Sequence, residues 1–220
     1  MAHILNIDTA IDSASVCIAN DDELINIAIN KNQKDHAAWI QPAISDVVAS
    51  AGLSLKDIHA IAVSIGPGSY TGLRIGLSTA KGLCYALNKP LIAIGTLDMM
   101  AMAGRDKNAD LICPMIDARR MEVFTAIYNK RMDTIIPPAA VILHDHFASE
   151  LLNKNSILFF GNGSNKMKYL IHHTNALFDD IEINSSLMIK ISNKRLHNSE
   201  FNSLAYTQPM YIKNFYIKGE

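Results

Sequence analysis

Two stretches of this chain repeat one design half a chain apart, and that repetition limits the folds open to it. His3-Ile4-Leu5-Asn6-Ile7-Asp8-Thr9 is an apolar run ending in an aspartate. A polar turn through Ser13 follows, then a second run from Ala14 to Ala19. Leu111 to Arg119 is again an apolar run ending in an acid, Asp117, and Glu122 to Tyr128 follows it. Short, β-branched-rich runs bounded by turn residues read as strands. Asp8 and Asp117 therefore hold equivalent places, and an internal duplication is the economical explanation. Arg105 to Asp110, the most polar short segment, marks the division. It gives an N-terminal lobe over 1–104 and a C-terminal lobe over 105–220, whose last residues may return to pack on the first.

The remaining pattern is that of an α/β protein. Asp21-Asp22 turns the chain into a third strand, Glu23 to Asn30. A helix is predicted from His36 to Ala51, with Ala37, Ile40, Ile44, Val47, Val48 and Ala51 on one stripe, Pro42 inside it and Gly52 at its end. Trp39 lies off that stripe, as a partner anchor or as a core or domain contact. Further strands are predicted over Ile58–Ile65, Leu91–Ile94 and Ile157–Phe160, with helices over Thr71–Leu87, Leu97–Ala103, His144–Leu152 and Ser164–His172. Pro137-Pro138 reads as a loop, and 184–203 is polar and ambiguous.

The block Gly66-Pro67-Gly68-Ser69-Tyr70-Thr71-Gly72-Leu73-Arg74-Ile75-Gly76 sits at a strand-to-helix junction, where phosphate is often bound. It lacks the Gly-Lys-Ser/Thr of a P-loop and the spacing of a dinucleotide fingerprint. Ser69 follows Gly68 directly, so a nucleophile elbow is excluded too. What remains is a stripe of small residues, Gly68, Gly72, Gly76 and Ala80, beside an apolar face of Leu73, Leu77, Ala80, Cys84 and Leu87. Such a helix packs on its own sheet or on a partner. With the preceding helix it supplies an expected partner surface: Ala37, Ile40, Ile44, Val47, Gly72, Leu73, Gly76, Leu77, Ala80 and Cys84.

Composition narrows the function. At 220 residues, 49% hydrophobic and 19% charged, the chain can bury a sizeable core. A net charge of −1 argues against strong independent binding to RNA or DNA. Lys190, Lys194 and Arg195 are the densest basic cluster and read as a solvated loop. Cys17, Cys84 and Cys113 are scattered in apolar runs without a CxxC, as buried reduced thiols would be. With no signal peptide and no membrane-length run, a cytoplasmic protein is expected.

Two β-rich halves, each opening with strand, acidic turn and strand, resemble the actin, sugar-kinase and Hsp70 fold. Ile4-Leu5-Asn6-Ile7-Asp8-Thr9, Gly66 through Gly76, Lys81-Gly82-Leu83, Asp117 through Phe124, Gly161-Asn162-Gly163 and Pro209-x-Tyr211-Ile212-Lys213 all resemble the TsaB (YeaZ) family. The resemblance implies a non-catalytic subunit of the bacterial tRNA threonylcarbamoyladenosine synthase. In that system TsaC makes threonylcarbamoyl-adenylate. TsaD transfers the group to the adenosine after the anticodon, in tRNAs reading codons that begin with A. TsaB dimerises with TsaD and supports assembly with the ATPase TsaE. No cofactor is implied, a self-homodimer is expected without the partner, and tRNA is met only through the complex.

The residues agree with that implication. TsaD relatives carry a His-x-x-x-His metal pair, and the corresponding stretch here, Ile94 to Ala101, has no histidine. His36 reads as a helix-start or packing residue. His144, His146, His172 and His173 lack a further evident ligand. The turn from Asp8 to Ser13 contains no glycine, which argues against an ordinary ATP site. The competing readings are an ATPase or kinase of this fold, with Asp8 or Asp117 on a metal–nucleotide, and a glycoprotease-like peptidase.

Overall fold

The computed structural model describes residues 1–32 and 35–213. Seven residues of the expected second lobe, 214–220, lie outside the described residues. The chain forms two compact units, 1–103 with 182–209, and 104–181 with 210–220. The division falls near residue 104, and 182–209 returns to the first unit.

The first unit is built on a five-stranded sheet. β1 (His3–Asp8), β2 (Ala14–Asn20) and β3 (Glu23–Asn30) form an antiparallel meander. Asp21 makes its turn in the left-handed region, φ 51°, which aspartate tolerates better than most residues. β4 (Ala60–Ser64) adds parallel to β1, and β5 (Leu91–Ile94) parallel to β4, giving the order β3-β2-β1-β4-β5. Strand residues alternate between faces, and the two faces of this sheet differ. Leu5, Ile7, Val16, Ile18, Ile61, Val63 and Leu91 form a core with α1 (His36–Ser50) and α2 (Tyr70–Leu87). Trp39 packs against the same core.

The opposite face carries Asn6, Asp8, Ser15 and Cys17, all fully buried. A 3-10 turn at Ser185–Met188 and helix α6 (Ile189–His197) cover this side. The Ser192 hydroxyl donates to Asn6 Oδ1 at 2.8 Å, and the Ser185 amide donates to Ser15 Oγ at 2.8 Å. Farther on, the Asn202 amide donates to the Leu91 carbonyl, and Asn202 Oδ1 accepts from the Ala93 amide. The open edge of β5 is thereby closed. α3 (Thr96–Gly104) completes this part of the chain.

The second unit repeats the arrangement. β6 (Leu111–Asp117), β7 (Glu122–Asn129), β8 (Thr134–Ile142), β9 (Ile157–Phe160) and β10 (Ala176–Phe178) order as β10-β9-β6-β7-β8, strand for strand the order of the first sheet. The duplication expected from Asp8 and Asp117 is thus present in the topology. Three local expectations are corrected. Pro137 and Pro138 lie inside β8, an edge strand, at the register shift between Ile136 and Ala139, where neither is paired with a β7 residue. The predicted helix over 144–152 shrinks to α4 (Ser149–Leu152), and that over 164–172 to α5 (Ser164–Lys168). The polar stretch 184–203 contains α6. Among the described residues no helix is long and apolar enough to cross a membrane.

Candidate functional site

The glycine block and the β1–β2 turn meet at the end of the first sheet. Ser69 caps α2, its hydroxyl accepting from the Gly72 amide at 3.2 Å. The Ser69 amide donates to the Ala10 carbonyl at 2.7 Å, and the Thr9 hydroxyl donates to the Gly72 carbonyl at 2.7 Å. A Cβ on Gly68 would stand 2.2 Å from the Ala10 carbonyl oxygen, and one on Gly72 2.0 Å from that of Thr9. One on Gly76 would lie 2.4 Å from Thr9 Oγ1. The small-residue stripe therefore lets the chain's own turn press onto α2. The Ser69 and Gly72 amides, two of the donors that would face a phosphate here, are engaged within the fold.

Asp8 sits beneath this contact, fully buried. Its Oδ1 accepts from Ser64 Oγ at 2.5 Å and from the Ala10 amide at 3.0 Å, while Oδ2 has no partner. Burial pushes its pKa up, against the opposing hydrogen bonds from Ser64 and the Ala10 and Thr9 amides. Asp117, its topological counterpart, is the chemical opposite. Burial raises its pKa, but the Lys166 ammonium at 2.7 Å, the Arg119 amide and the charges of Lys166 and Arg119 outweigh it and hold the carboxyl below its usual range. Lys166 also donates to the Glu122 carbonyl at 3.0 Å, and Lys213 pairs with the Glu122 carboxylate. Lys166 thus ties the β6–β7 hairpin to α5. The two acids sit in opposite electrostatic environments, one pushed up by burial and one held down by its cationic partners.

The residues expected to line a partner surface are placed otherwise. Ile40, Ile44 and Val47 on α1, and Leu73, Leu77, Ala80 and Cys84 on α2, are at most 5% exposed. Gly72 and Gly76 are buried too, and only Ala37 is exposed. The apolar stripes of both helices belong to the first unit's own core. α1 and α2 nevertheless lie side by side, and small residues recur on their outward faces beside Gln41, Asp46, Arg74 and Tyr85. Ala38, Ser45 and Ala49 stand outward on α1, and Thr71, Ser78 and Gly82 on α2. A Cβ on Gly82 would meet nothing within 4 Å. Both small stripes were present in the sequence. The inner one was chosen because apolar residues flank it, and that flank is what buries it.

His36 opens α1, 3% exposed, with Nε2 unpartnered. Desolvation lowers its pKa, against the Asn30 backbone and the charge of Asp35. α3 carries Asp98 and no histidine. Among the described residues no group of three His, Cys, Asp or Glu side chains is arranged to hold a metal ion. The three thiols are buried, each with a pKa pushed up to about 12 by desolvation. They are poor nucleophiles at neutral pH.

Residues 24–207 match the family model described as TsaD, tRNA N6-adenosine threonylcarbamoyltransferase. The tRNA threonylcarbamoyladenosine biosynthesis protein TsaB of Bacillus subtilis (strain 168) is 32% identical over 171 residues, 76% of this chain and 74% of that protein. TsaB of Escherichia coli (strain K12) is 40% identical over 128 residues, 58% of this chain and 55% of the relative, so that match spans about half its length. Among solved structures, YeaZ from Pseudomonas aeruginosa superposes with a TM-score of 0.81 at 22% identity, over 96% of this chain and 100% of the other. The activator of the 2-hydroxyisocaproyl-CoA dehydratase from Clostridium difficile, solved with bound ADPNP, gives 0.55 at 7% identity, over 90% and 97%. These likenesses establish the duplicated actin, sugar-kinase and Hsp70 type of fold.

Proposed function

Because the chain belongs to the TsaB family of tRNA threonylcarbamoyladenosine biosynthesis proteins, we propose that it is a non-catalytic assembly subunit of the complex that makes this modification. It pairs with TsaD, which carries the transfer chemistry, and the pair is joined by the ATPase TsaE. TsaC supplies the activated intermediate. The target is the adenosine 3′ of the anticodon in tRNAs that read codons beginning with A. The chain works in the cytoplasm.

One observation carries this reading. The β1–β2 turn is filled by the chain's own α2 start, with Gly68 and Gly72 so close to the Ala10 and Thr9 carbonyls that neither position has room for a Cβ. A kinase of this fold needs that turn open to phosphate. The family match to the transferase itself favours a second reading, catalysis by this chain. The histidine-free α3 and the full burial of Asp8 weigh against it.

The proposed partner surface is the outward face of α1 and α2, where Ser45, Ala49, Ser78 and Gly82 let another backbone approach closely. The test is reconstitution with TsaD, TsaC and TsaE of the same organism. With this chain, tRNA is modified and TsaD co-purifies. The chain alone, metal-replete and free of TsaD, turns over neither ATP nor tRNA. Full modification without the chain, or turnover by the chain alone, overturns the proposal. Gly82→Trp should leave the fold intact and weaken TsaD binding at least about tenfold, roughly 1.4 kcal/mol.

A further inference from the structure

α6 carries Lys190, Lys194, Arg195 and His197 and no acidic residue. Its inward stripe, Ile189, Ser192 and Asn193, is buried on the first sheet. Two hydrogen bonds fix its rotation: Ser192 Oγ to Asn6 Oδ1 at 2.8 Å, and Asn193 Nδ2 to Asp22 Oδ1 at 2.9 Å. The Arg195 guanidinium donates to the Ala93 carbonyl. With the helix held this way, Lys190, Lys194 and His197 stand exposed at i, i+4 and i+7, one line along the outer surface.

None of these three is in an ion pair among the described residues. Asp22 accepts from Asn193, and Glu200 accepts from Asn198 at 2.8 Å. Lys194 also lies in the last helical turn, where the helix dipole favours cations. Two lysines without an ion-pair partner among the described residues, in line with a histidine on a rigid element, suit a polyanion. Lysine is depleted at the core of protein–protein contacts and dominates contacts to phosphate.

We propose that the outer face of α6 is a phosphate-contact surface for the RNA backbone, used once the chain is assembled with its partners. The proposal rests on the assembly role above. With a net charge of −1 the free chain binds RNA weakly, and two or three such contacts add measurable affinity only beside a partner that supplies the rest. Contacts of this kind position the RNA without reading its sequence.

The test uses the full complex and a tRNA substrate, with affinity measured over a salt series. Lys190→Gln/Lys194→Gln should weaken binding several-fold at low salt and reduce the slope of log K against log salt by about 1–2, since each phosphate contact contributes about 0.7–0.9. Assembly with TsaD should be unchanged. Lys130→Gln/Lys154→Gln, which removes the same charge from the second unit, should leave the slope alone. An unchanged slope in the α6 variant, with wild-type tRNA binding still dependent on this chain, overturns the surface alone. A loss that follows reduced assembly assigns α6 to an acidic protein partner and also overturns it. If omitting the chain leaves tRNA binding and modification intact, the assembly role fails and this surface fails with it.

Discussion

Gly72 and Gly82, ten residues apart on one helix, have opposite meanings. A Cβ at Gly72 would stand 2.0 Å from the Thr9 carbonyl oxygen, a backbone atom that cannot swing aside, while Gly82 faces open space. Gly72→Ala is expected to destabilise the fold by about 3 kcal/mol. Gly82→Ala is expected to stabilise it by about 0.5–1 kcal/mol through helix propensity. Urea denaturation of the two variants checks both signs. Asp8 and His36 set opposite pH dependences. Asp8's folded pKa is raised, so its contribution is fully present below its unfolded pKa, about 3.9, and is lost as pH rises through the folded value. His36's folded pKa is lowered. Its contribution is present above the unfolded value, about 6.5, and is lost as pH falls through the folded one. Asp8→Asn should therefore raise Tm more at pH 8 than at pH 4, each kcal/mol appearing as about 2–4 °C. An equal shift at both pH values would show that Asp8 does not titrate between them.

At the scale of elements, legibility followed chemistry. β1, β2 and β4 were readable because their residues are apolar and bounded by turns. α1 and α2 were readable because Ile40, Ile44 and Val47, or Leu73, Leu77 and Cys84, recur at helical spacing. That period shows a buried stripe without saying what buries it, so a core face and a partner face look the same in the sequence. α6 was not legible because its buried stripe includes Ser192 and Asn193, held by hydrogen bonds that a hydrophobic pattern cannot reveal. β8 was hidden by Pro137-Pro138, which mark a loop unless the strand lies at an edge. Pro42 remains an oddity inside α1, exposed and seven residues into the helix. It cannot donate to the Ala38 carbonyl. Pro42→Ala is expected to stabilise the chain by about 1–3 kcal/mol, less than the full helix-interior penalty because the unfolded chain also gains freedom. A thermal melt reads this directly.

At the scale of the molecule, the duplication was visible from two aspartates, while the discontinuous first unit was not, because nothing in 182–209 resembles a strand of that sheet. On the proposed assembly role, TsaD and a second copy of the chain would compete for the outer α1–α2 face. Its small and polar character makes the self-contact weaker than an apolar seam would be. Sedimentation velocity should show self-association that rises with concentration and disappears in proportion to the TsaD added. A homodimer that persists on TsaD would place the two contacts on different surfaces. The return of 182–209 to the first sheet also has a consequence in time. On the ribosome, the sheet face holding Asn6, Ser15 and Cys17 emerges early, but its cover is made only after residues 104–181 of the second unit have been synthesised. At about 5–20 residues per second, that leaves the face bare for about 4–16 seconds. A nascent chain stalled after Ile181 should be cut readily by protease within the first unit, and one in which Pro209 has cleared the ribosome should resist, so the lobe begun first waits on most of the second for its cover.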